Sequence, residues 1–245
     1  MLYLIGLGLN EEGFSYEAYN AVKNSRKIYL ESYTVELPFS KEELEQKLEK
    51  KVKEVKREYV EGNGAEKLVI EAKEDNVALL VYGSPLMATT HMSIIEECRN
   101  KKVPYRIVQG ASILDAVGET GLSLYKFGKI TSIPNFEIDV DSFIKVVKEN
   151  EIINAHTLIL IDIGLKFSQA FDKLERAAKS KRVEIKKMLV CSRLGTKRSS
   201  ILYKPFKEFK KLRESLDKDV KAPFSFVIPS EVLNIIEEDV LKRLN

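Results

Sequence analysis

The sequence predicts an α/β protein made of two successive α/β domains, which we place at residues 1–110 and 111–245. Short, continuous apolar runs alternate with amphipathic stretches along the 245-residue chain. The runs Leu2–Leu7 and Val77–Tyr82 end at or next to glycine, as buried parallel strands do where the chain turns toward a helix. The resulting β-α-β-α-β-α order implies a parallel sheet that is covered by helices on both faces.

The first elements follow from local patterns. Leu2–Leu7 is a continuous apolar run and predicts a buried strand. Tyr16–Asn24 has the pattern of a helix, and Lys27–Leu30 predicts a second strand. Ser40 followed by Glu43 is a capping-box pattern, which predicts the start of another helix.

The remainder of the first domain contains one ambiguous stretch. Val52–Val60 is compatible with either helix or strand. Val77–Tyr82 is a clear buried strand that ends at a glycine. Beyond it, Thr90–Asn100 predicts a helix, Tyr105–Gln109 a strand, and Ser112–Gly118 the beginning of another helix.

A loop is expected at Ile133–Asp141, where a proline and an asparagine mark a turn. A second series of strands and helices follows this loop. Its expected strands are Thr157–Ile163, Met188–Ser192, Ile201–Lys204 and Phe224–Ile228, and its expected helices are Ser168–Lys179 and Glu231–Leu244, the latter capped by Ser230.

The composition narrows the class of protein. Forty Lys and Arg residues against 37 Asp and Glu leave a net charge of +3 with interspersed signs, so nothing requires a nucleic-acid partner. Cys98 and Cys191 do not suggest a disulfide framework and favour a reducing compartment. The N-terminus lacks the basic region of a signal peptide, and the apolar runs fall far short of the ~20 residues of a membrane helix. We expect a cytoplasmic protein without membrane contact.

Two motifs lie where parallel strands would turn into helices. The first contains Gly6 and Gly8, and glycines at such a turn let the backbone approach a ligand closely. The dinucleotide fingerprint requires a third glycine where Glu11 stands, which disfavours an NAD-dependent oxidoreductase. A tight turn without a ligand explains this fragment equally well.

The second motif, GSPLMATTH at Gly83–His91, follows the strongest strand of the sequence. In open α/β sheets, ligands bind at loops of this kind, although an ordinary strand-to-helix loop also explains the segment taken alone. His91 by itself is typical of a packing residue. Asp162, at the end of an apolar strand, is either a site residue or the cap of the next turn.

Other catalytic constellations are not evident in the sequence. The histidines, cysteines and carboxylates lack zinc-like spacing, so we expect no metal. The chain contains neither a G-x-S-x-G nucleophile elbow nor a P-loop.

Taken together, the segments resemble the tetrapyrrole-methylase class of S-adenosylmethionine-dependent methyltransferases. The GLGL turn, the GSPLMATTH loop and a two-domain α/β chain of this length carry the resemblance. Further segments resemble the diphthine synthase family within that class, and the similarity covers nearly the whole chain. These segments are ESYT at Glu31–Thr34, GETGLSLYKFGK at Gly118–Lys129 and HTLILIDI at His156–Ile163.

The resemblance implies S-adenosyl-L-methionine as the cofactor, in the cleft between the two domains, with no catalytic acid/base residue. It also implies that Glu31, Tyr33 and Lys126 face the substrate, because they belong to segments peculiar to the family. The positions that match the family's cofactor contacts are Leu9, Ser84, Met87, Ser112, Ile113, Ile161, Leu194 and Phe224.

The chain departs from the family pattern at three of its positions. Ser84 stands where the family has Asp, Phe224 where it often has His, and Gly164 where it has Lys. A hydroxyl only partly replaces a carboxylate as a hydrogen-bond acceptor, so the first departure implies weaker cofactor binding.

The activity implied by the resemblance is methylation of the amino group of a 3-amino-3-carboxypropyl chain on a histidine of translation elongation factor 2. This step belongs to diphthamide biosynthesis, and the resemblance further implies a homodimer. Two alternatives remain open. A sister methylase would act on a tetrapyrrole or ribosomal RNA, which the YKFGK segment argues against. A non-catalytic cofactor-binding protein would only dock onto the translation factor, and Ser84 keeps this option open.

Overall fold

A computed structural model describes residues 1–60, 63–136 and 141–244. The chain divides into two compact units, Met1–Asp115 and Ala116–Asn245, against an expected boundary at 110/111. Each unit combines a sheet with helices, so the predicted α/β class is confirmed. None of the described helices is both long and apolar enough to cross a membrane.

The first unit alternates strands and helices. Its strands are β1 (Leu2–Gly6), β2 (Lys27–Glu31), β3 (Lys53–Val55), β4 (Val77–Val81) and β5 (Tyr105–Val108). Its helices are α1 (Tyr16–Lys23), α2 (Lys41–Leu48), α3 (Arg57–Val60), α4 (Asn63–Glu74), α5 (Met92–Asn100) and α6 (Ile113–Ala116), the last of which continues past the end of the unit.

The sheet of the first unit is wholly parallel, in the order β3-β2-β4-β1-β5. Consecutive side chains of a strand point to opposite faces, and both faces of this sheet are buried. Leu4 lies in a core cluster with residues of α3, α4 and α5, whereas Ile5 lies in a cluster with residues of α1 and α2. Helices therefore cover both faces, as the sequence predicted.

The second unit begins with two short 3-10 helices, Val117–Thr120 and Leu124–Lys126. Its strands are β6 (Thr131–Ile133), β7 (Thr157–Ile161), β8 (Lys187–Ser192), β9 (Ser200–Pro205) and β10 (Phe224–Ile228). Its α-helices are α7 (Ser142–Ile152), α8 (Phe167–Lys181), α9 (Phe206–Asp219) and α10 (Ile235–Arg243).

The second sheet differs from the first because most of its pairs are antiparallel. Its order is β6-β7-β10-β8-β9, and only the pair β6–β7 is parallel. The core between this sheet and helices α7, α8 and α9 is rich in aromatic rings. Its phenylalanines with less than 2% exposure are Phe143, Phe167, Phe171, Phe209 and Phe226.

Local predictions near the middle of the chain have mixed outcomes. The capping box at Ser40 is confirmed, since its hydroxyl accepts the Glu43 N–H and the Glu43 carboxylate accepts the Ser40 N–H. The ambiguous stretch Val52–Val60 contains both a strand, β3, and a helix, α3. The expected loop at Ile133–Asp141 begins on the last residue of β6, and residues 137–140 lie outside the described part of the chain.

The predicted start of the final helix is wrong. α10 is capped by Asn234, whose side chain accepts the Glu237 N–H at 2.9 Å. Ser230 lies upstream of the helix, where its N–H donates to His156 and its hydroxyl donates to the Val232 carbonyl. A capping box between Asn234 and Glu237 therefore fixes the start of the helix.

Candidate functional site

Three neighbouring strands of the first sheet lead into glycines at one edge. β4, β1 and β5 are adjacent and parallel, so the loops that follow them meet at the carboxyl edge. Gly6 ends β1, and Gly83 and Gly110 lie just beyond β4 and β5. Together with Gly8 they form what we call the glycine cluster. Gly6 and Gly83 belong to motifs that are evident in the sequence, whereas Gly110 belongs to neither motif.

The backbones of the glycine cluster pack directly against one another. Gly8 and Gly83 exchange two backbone hydrogen bonds of 3.2 and 2.9 Å, and both have positive φ, +72° and +74°. A Cβ added to Gly6 would lie 2.6 Å from the Gly83 carbonyl oxygen and 2.7 Å from the Gly110 nitrogen. A Cβ on Gly110 would meet the same Gly83 oxygen at 2.6 Å. Side chains are therefore excluded where these loops converge.

Two of the matched cofactor positions follow the glycines directly. Leu9 is buried at 5% exposure, and its carbonyl accepts the Tyr82 hydroxyl at 3.1 Å. Ser84 Oγ lies 3.0 Å from Gln109 Oε1, which joins the loop after β4 to the end of β5. Tyr82 and Gln109 support these two positions but were not predicted from the sequence, because neither belongs to a recognisable motif.

The other matched positions of this unit differ in exposure. Met87 is 40% exposed on the loop after β4, and its N–H donates to the Ser84 carbonyl. Ser112 is buried, and both its N–H and its hydroxyl donate to the Asp115 carboxylate, at 2.6 and 3.0 Å. Ile113 begins α6 and is partly buried. The structure thus brings five of the matched positions, on three loops, to the edge that carries the glycine cluster.

The three matched positions of the second unit also share one edge of a sheet. Phe224 begins β10, Ile161 ends the antiparallel neighbour β7, and Leu194 follows β8 on the other side. The loop after β8 is held by Glu119, whose carboxylate accepts from the Gly195 N–H and the Ser199 hydroxyl, both at 2.7 Å. Glu119 lies in the GETGLSLYKFGK segment, but the sequence did not indicate this contact.

Glu31 and Tyr33 are the positions that the resemblance assigns to the substrate side. Glu31 ends β2, which is next to β4 in the sheet, and Tyr33 lies two residues further on. Glu31 is buried at 3% exposure, and its Oε1 accepts the N–H groups of Tyr33 at 2.8 Å and Thr34 at 2.6 Å. The Arg57 guanidinium lies 5.3 Å from the centre of the Tyr33 ring. The carboxylate of Glu31 therefore orders the backbone of the ESYT segment.

Lys126, the third substrate-side position, takes part in a network inside the second unit. Its Nζ donates to Glu237 Oε2 at 2.8 Å and to the Val232 carbonyl at 2.6 Å. Glu237 Oε1 accepts the Ser123 N–H at 3.0 Å and lies 2.9 Å from His156 Nε2. The network joins the YKFGK segment, the start of β7 and α10.

The protonation states in this network follow from its hydrogen bonds. His156 Nδ1 accepts the Ser230 N–H at 2.9 Å, so the ring proton is on Nε2 and is donated to Glu237. Burial lowers the pKa of His156, against the opposing effect of the Glu237 carboxylate. Burial would raise the pKa of Glu237, but its bonds from Lys126, Asn234, Ser123 and His156 prevail and lower it to about 2. A carboxylate therefore faces a neutral imidazole.

Asp162 has the structural role that the sequence left open. Its Oδ2 accepts the Asn135 N–H at 3.0 Å, and its Oδ1 accepts the Ile163 N–H, so it orders the turns near the end of β7. Within the described ranges, no three His, Cys, Asp or Glu side chains gather in an arrangement that would hold a metal ion. The expectation of a metal-free site stays a prediction.

The family model of the Tetrapyrrole (Corrin/Porphyrin) Methylases matches residues 1–210. The chain therefore belongs to the tetrapyrrole methylase family. Within that family it is similar to diphthine synthases. A diphthine synthase of Methanocaldococcus jannaschii is 35% identical over 260 aligned residues, which cover 100% of this chain and 98% of that relative.

Two further similarities agree. A diphthine methyl ester synthase of Schizosaccharomyces pombe is 41% identical over 182 residues, covering 73% of this chain and 64% of that relative. The match thus spans slightly less than two thirds of the fission-yeast relative. A crystal structure of a diphthine synthase gives a TM-score of 0.88 at 30% identity, covering 99% of this chain and 95% of that one. The predicted tetrapyrrole-methylase fold is confirmed.

Proposed function

We propose that this protein is a diphthine synthase. It transfers methyl groups from S-adenosyl-L-methionine to the amino group of the 3-amino-3-carboxypropyl chain on a histidine of translation elongation factor 2. The observation that carries the proposal is the glycine cluster with the GSPLMATTH loop at one sheet edge, in a chain similar to diphthine synthases over its full length.

The residues at this edge suit such a cofactor. An adenosine and a methionine chain require polar partners for their hydroxyl, amino and carboxylate groups, and apolar contact for their ring and methylenes. The loop after β4 supplies the Ser84 hydroxyl and the exposed apolar side chains of Leu86 and Met87, 37% and 40% exposed. The glycines let the loops after β1, β4 and β5 pack together without side chains between them. Polar and apolar groups of the required kinds are thus present together.

The chemistry places modest demands on the protein. The cofactor supplies an activated methyl group on a sulfonium, so no acid/base dyad or metal is needed for activation. The chain's own residues bind and orient the two reactants and exclude water. Leu9, Ser84, Met87, Ser112 and Ile113 act in the first unit, and Ile161, Leu194 and Phe224 act in the second. Leu9, Leu194 and Phe224 contribute through packing and backbone groups, since they are buried apolar side chains.

The ESYT and YKFGK segments form the substrate side of the proposal. Glu31 contributes by holding the backbone of Tyr33 and Thr34, and Lys126 by holding its segment to Glu237. We place the reaction in the cytoplasm, where the translation factor is found, and propose a homodimer that requires neither nucleic acid nor a membrane. The near-neutral charge of +3 supports the exclusion of nucleic acid.

The test is to incubate the protein with isotopically labelled S-adenosylmethionine and elongation factor 2 that carries the unmethylated 3-amino-3-carboxypropyl chain, and then to measure the factor's mass. We expect gains in methyl steps, and their number identifies the product. A matched reaction uses the factor without the chain, which removes the acceptor amine, and should show no gain.

Two other results would redirect the proposal. Cofactor binding by calorimetry without any mass gain would favour a protein that docks onto the factor, or a sister methylase with another acceptor. Absence of cofactor binding would contradict the assignment and would implicate Ser84, which stands where the family has Asp.

A further inference from the structure

Glu31 and His91 are two titratable side chains buried in the first unit, at 3% and 1% exposure. Glu31 Oε2 and His91 Nε2 face each other at 3.8 Å, which is within ion-pair distance. Among the described residues, His91 Nε2 has no hydrogen-bond partner. A buried polar atom left in this state is costly, so the facing carboxylate indicates that the two groups act together.

The position of the ring proton on neutral His91 is fixed by its other nitrogen. Nδ1 lies 3.0 Å from the Pro85 carbonyl oxygen. A carbonyl oxygen only accepts hydrogen bonds, so Nδ1 must carry a proton. In the neutral ring, Nε2 is then an unprotonated acceptor that points toward the carboxylate. This tautomer is the opposite of the one at His156, whose Nδ1 accepts a hydrogen bond from Ser230.

A single proton held between Glu31 and His91 would remove the repulsion between their facing atoms. Glu31 Oε1 is occupied by the N–H groups of Tyr33 and Thr34, which leaves Oε2 to face His91. If both facing atoms were unprotonated, their lone pairs would oppose each other where side-chain exposure is 0% and 2%. A proton on either Nε2 or Oε2 removes this repulsion and makes the 3.8 Å contact between the two groups attractive.

The pair connects two loops that the proposed function uses. Through Oε1, Glu31 holds the ESYT segment after β2. Through Nδ1, His91 holds Pro85, whose carbonyl also accepts the Thr89 hydroxyl at 3.0 Å. A Cβ built on Gly6 would lie 2.9 Å from Pro85 Cδ, so Pro85 packs against the glycine cluster. A shift of His91 is therefore transmitted to the GSPLMATTH loop.

We propose that Glu31 and His91 share one proton and thereby position the GSPLMATTH loop for cofactor binding. This inference rests on the proposed function and assigns both residues a positioning role, since both side chains are buried. It also explains why a buried glutamate ends β2 and a buried histidine ends the loop after β4. Glu31 acts through Tyr33, Thr34 and His91 and is closed to the substrate by burial.

The central experiment is a double-mutant cycle on the dissociation constant of S-adenosylmethionine, measured by calorimetry. Glu31→Ala and His91→Phe should each weaken binding by about tenfold, because each change leaves the other buried polar group without its partner. The double variant should be no weaker than the poorer single variant, because either change alone already breaks the pair. Glu36→Gln, at an exposed glutamate of the same connection, is the matched control and should bind normally.

Glu31→Gln distinguishes proton sharing from simple packing. Its amide oxygen can still accept the Tyr33 and Thr34 N–H groups, and its amide nitrogen can donate to the unprotonated Nε2 of His91. We therefore expect this variant to bind the cofactor within about twofold of the wild type, in contrast to Glu31→Ala. Binding by Glu31→Gln as weak as that of Glu31→Ala would overturn the inference.

The ring protons of His91 provide a readout that does not depend on the cofactor. The chain has two histidines, so nitrogen-15 spectra of the rings can be assigned with His91→Phe. His91 should carry a proton on Nδ1, whereas His156 should carry it on Nε2. An unprotonated Nδ1 on His91, or additive losses in the cycle, would overturn the inference.

Failure of the proposed function would look different. A wild type that does not bind S-adenosylmethionine contradicts the proposed function and the positioning role together. The proton-sharing pair would then be supported or overturned by the ring spectra and by the same cycle measured on the free energy of unfolding. If the wild type binds and Glu31→Ala binds equally well, only the positioning role is overturned.

Discussion

At the residue scale, the glycine cluster shows how a backbone contact dictates a residue type. Gly6 and Gly110 have no side chain because the Gly83 carbonyl occupies the space, 2.6 Å from a Cβ at either position. Gly8 and Gly83 are glycines because their φ angles are positive, near +72° and +74°. The same four residues therefore satisfy the tight-turn explanation and let the three loops converge at one sheet edge.

Gly110→Ala is expected to lower the free energy of unfolding by about 2 kcal/mol, because the new methyl group would collide with backbone atoms that have little freedom to move. It should also weaken binding of S-adenosylmethionine, since the loops after β1 and β4 must shift. Thermal or denaturant unfolding and calorimetry measure the two effects.

Gly118→Ala is the matched control, because a Cβ at Gly118 meets nothing within 4 Å. We expect its free energy of unfolding to stay within about 0.5 kcal/mol of the wild type, as for ordinary exposed sites. Equal losses in the two variants would contradict the steric explanation for Gly110.

At the element scale, α10 is held by a single buried carboxylate. Glu237 is 1% exposed, caps its own helix through Asn234, and joins that helix to Lys126 and His156. Four hydrogen bonds thus converge on its two oxygens, three of them from Ser123, Lys126 and His156 in distant parts of the chain. The helix has little apolar burial of its own, with Leu241 as its buried hydrophobic residue, so this polar network defines its position.

The low pKa of Glu237, about 2 against an ordinary value of 4.5, predicts how stability depends on acid. The folded state favours the carboxylate form, so the stabilisation is complete above about pH 4.5 and is lost as the pH falls toward 2. Glu237→Gln should be less stable than the wild type by about 2 kcal/mol at neutral pH, because the Lys126 ammonium loses its anionic partner. Its stability should depend less on pH across the same interval.

Glu238→Gln tests the same helix without the network. The Glu238 side chain is 52% exposed and lies 3.7 Å from Lys242, and exposed pairs contribute less than about 1 kcal/mol. Its acid unfolding should follow that of the wild type, as followed by circular dichroism. An unchanged acid profile for Glu237→Gln would refute the role of the carboxylate.

At the scale of the whole molecule, each unit has its own sheet and core, and the positions matched to cofactor contacts fall in both. In the first unit these positions lie on loops after parallel strands, and in the second they lie at the edge where β7, β8 and β10 meet. The proposed function predicts that S-adenosylmethionine affects the matched positions of each unit, which can be measured for the two units separately.

Saturating S-adenosylmethionine is expected to raise the free energy of unfolding by about 2.7 kcal/mol at a hundred times the dissociation constant. Hydrogen exchange should slow in the GSPLMATTH loop of the first unit and in the turn that contains Leu194 of the second. The experiment needs only the cofactor, so elongation factor 2 can be omitted. Protection confined to one unit would contradict the assignment of cofactor residues in the other.

Most elements of the fold were predictable because their signal is local. Continuous apolar runs identified all strands except the two three-residue strands: β6 was missed and β3 lies in the stretch left ambiguous. Helices α4, α7 and α9 were not predicted, although α4 buries Ala65, Leu68, Val69 and Ala72 at helical spacing. In α9 only Phe209 and Leu216 are buried, and most of the other residues are charged. The helical spacing of its apolar residues is therefore too weak to predict the helix from the sequence.

The sequence by itself determined the α/β class, the family resemblance and the loops that carry the candidate site. Each of these depends on residues that are close together in the sequence: runs of apolar residues, glycines at turns and the residues of short motifs. Tertiary structure alone decided which side chains meet. Glu31 faces His91, and Lys126 reaches Glu237, across separations of 60 and 111 residues. Such contacts depend on strand order and helix packing, which place distant residues within a few ångströms and leave no mark in the local pattern.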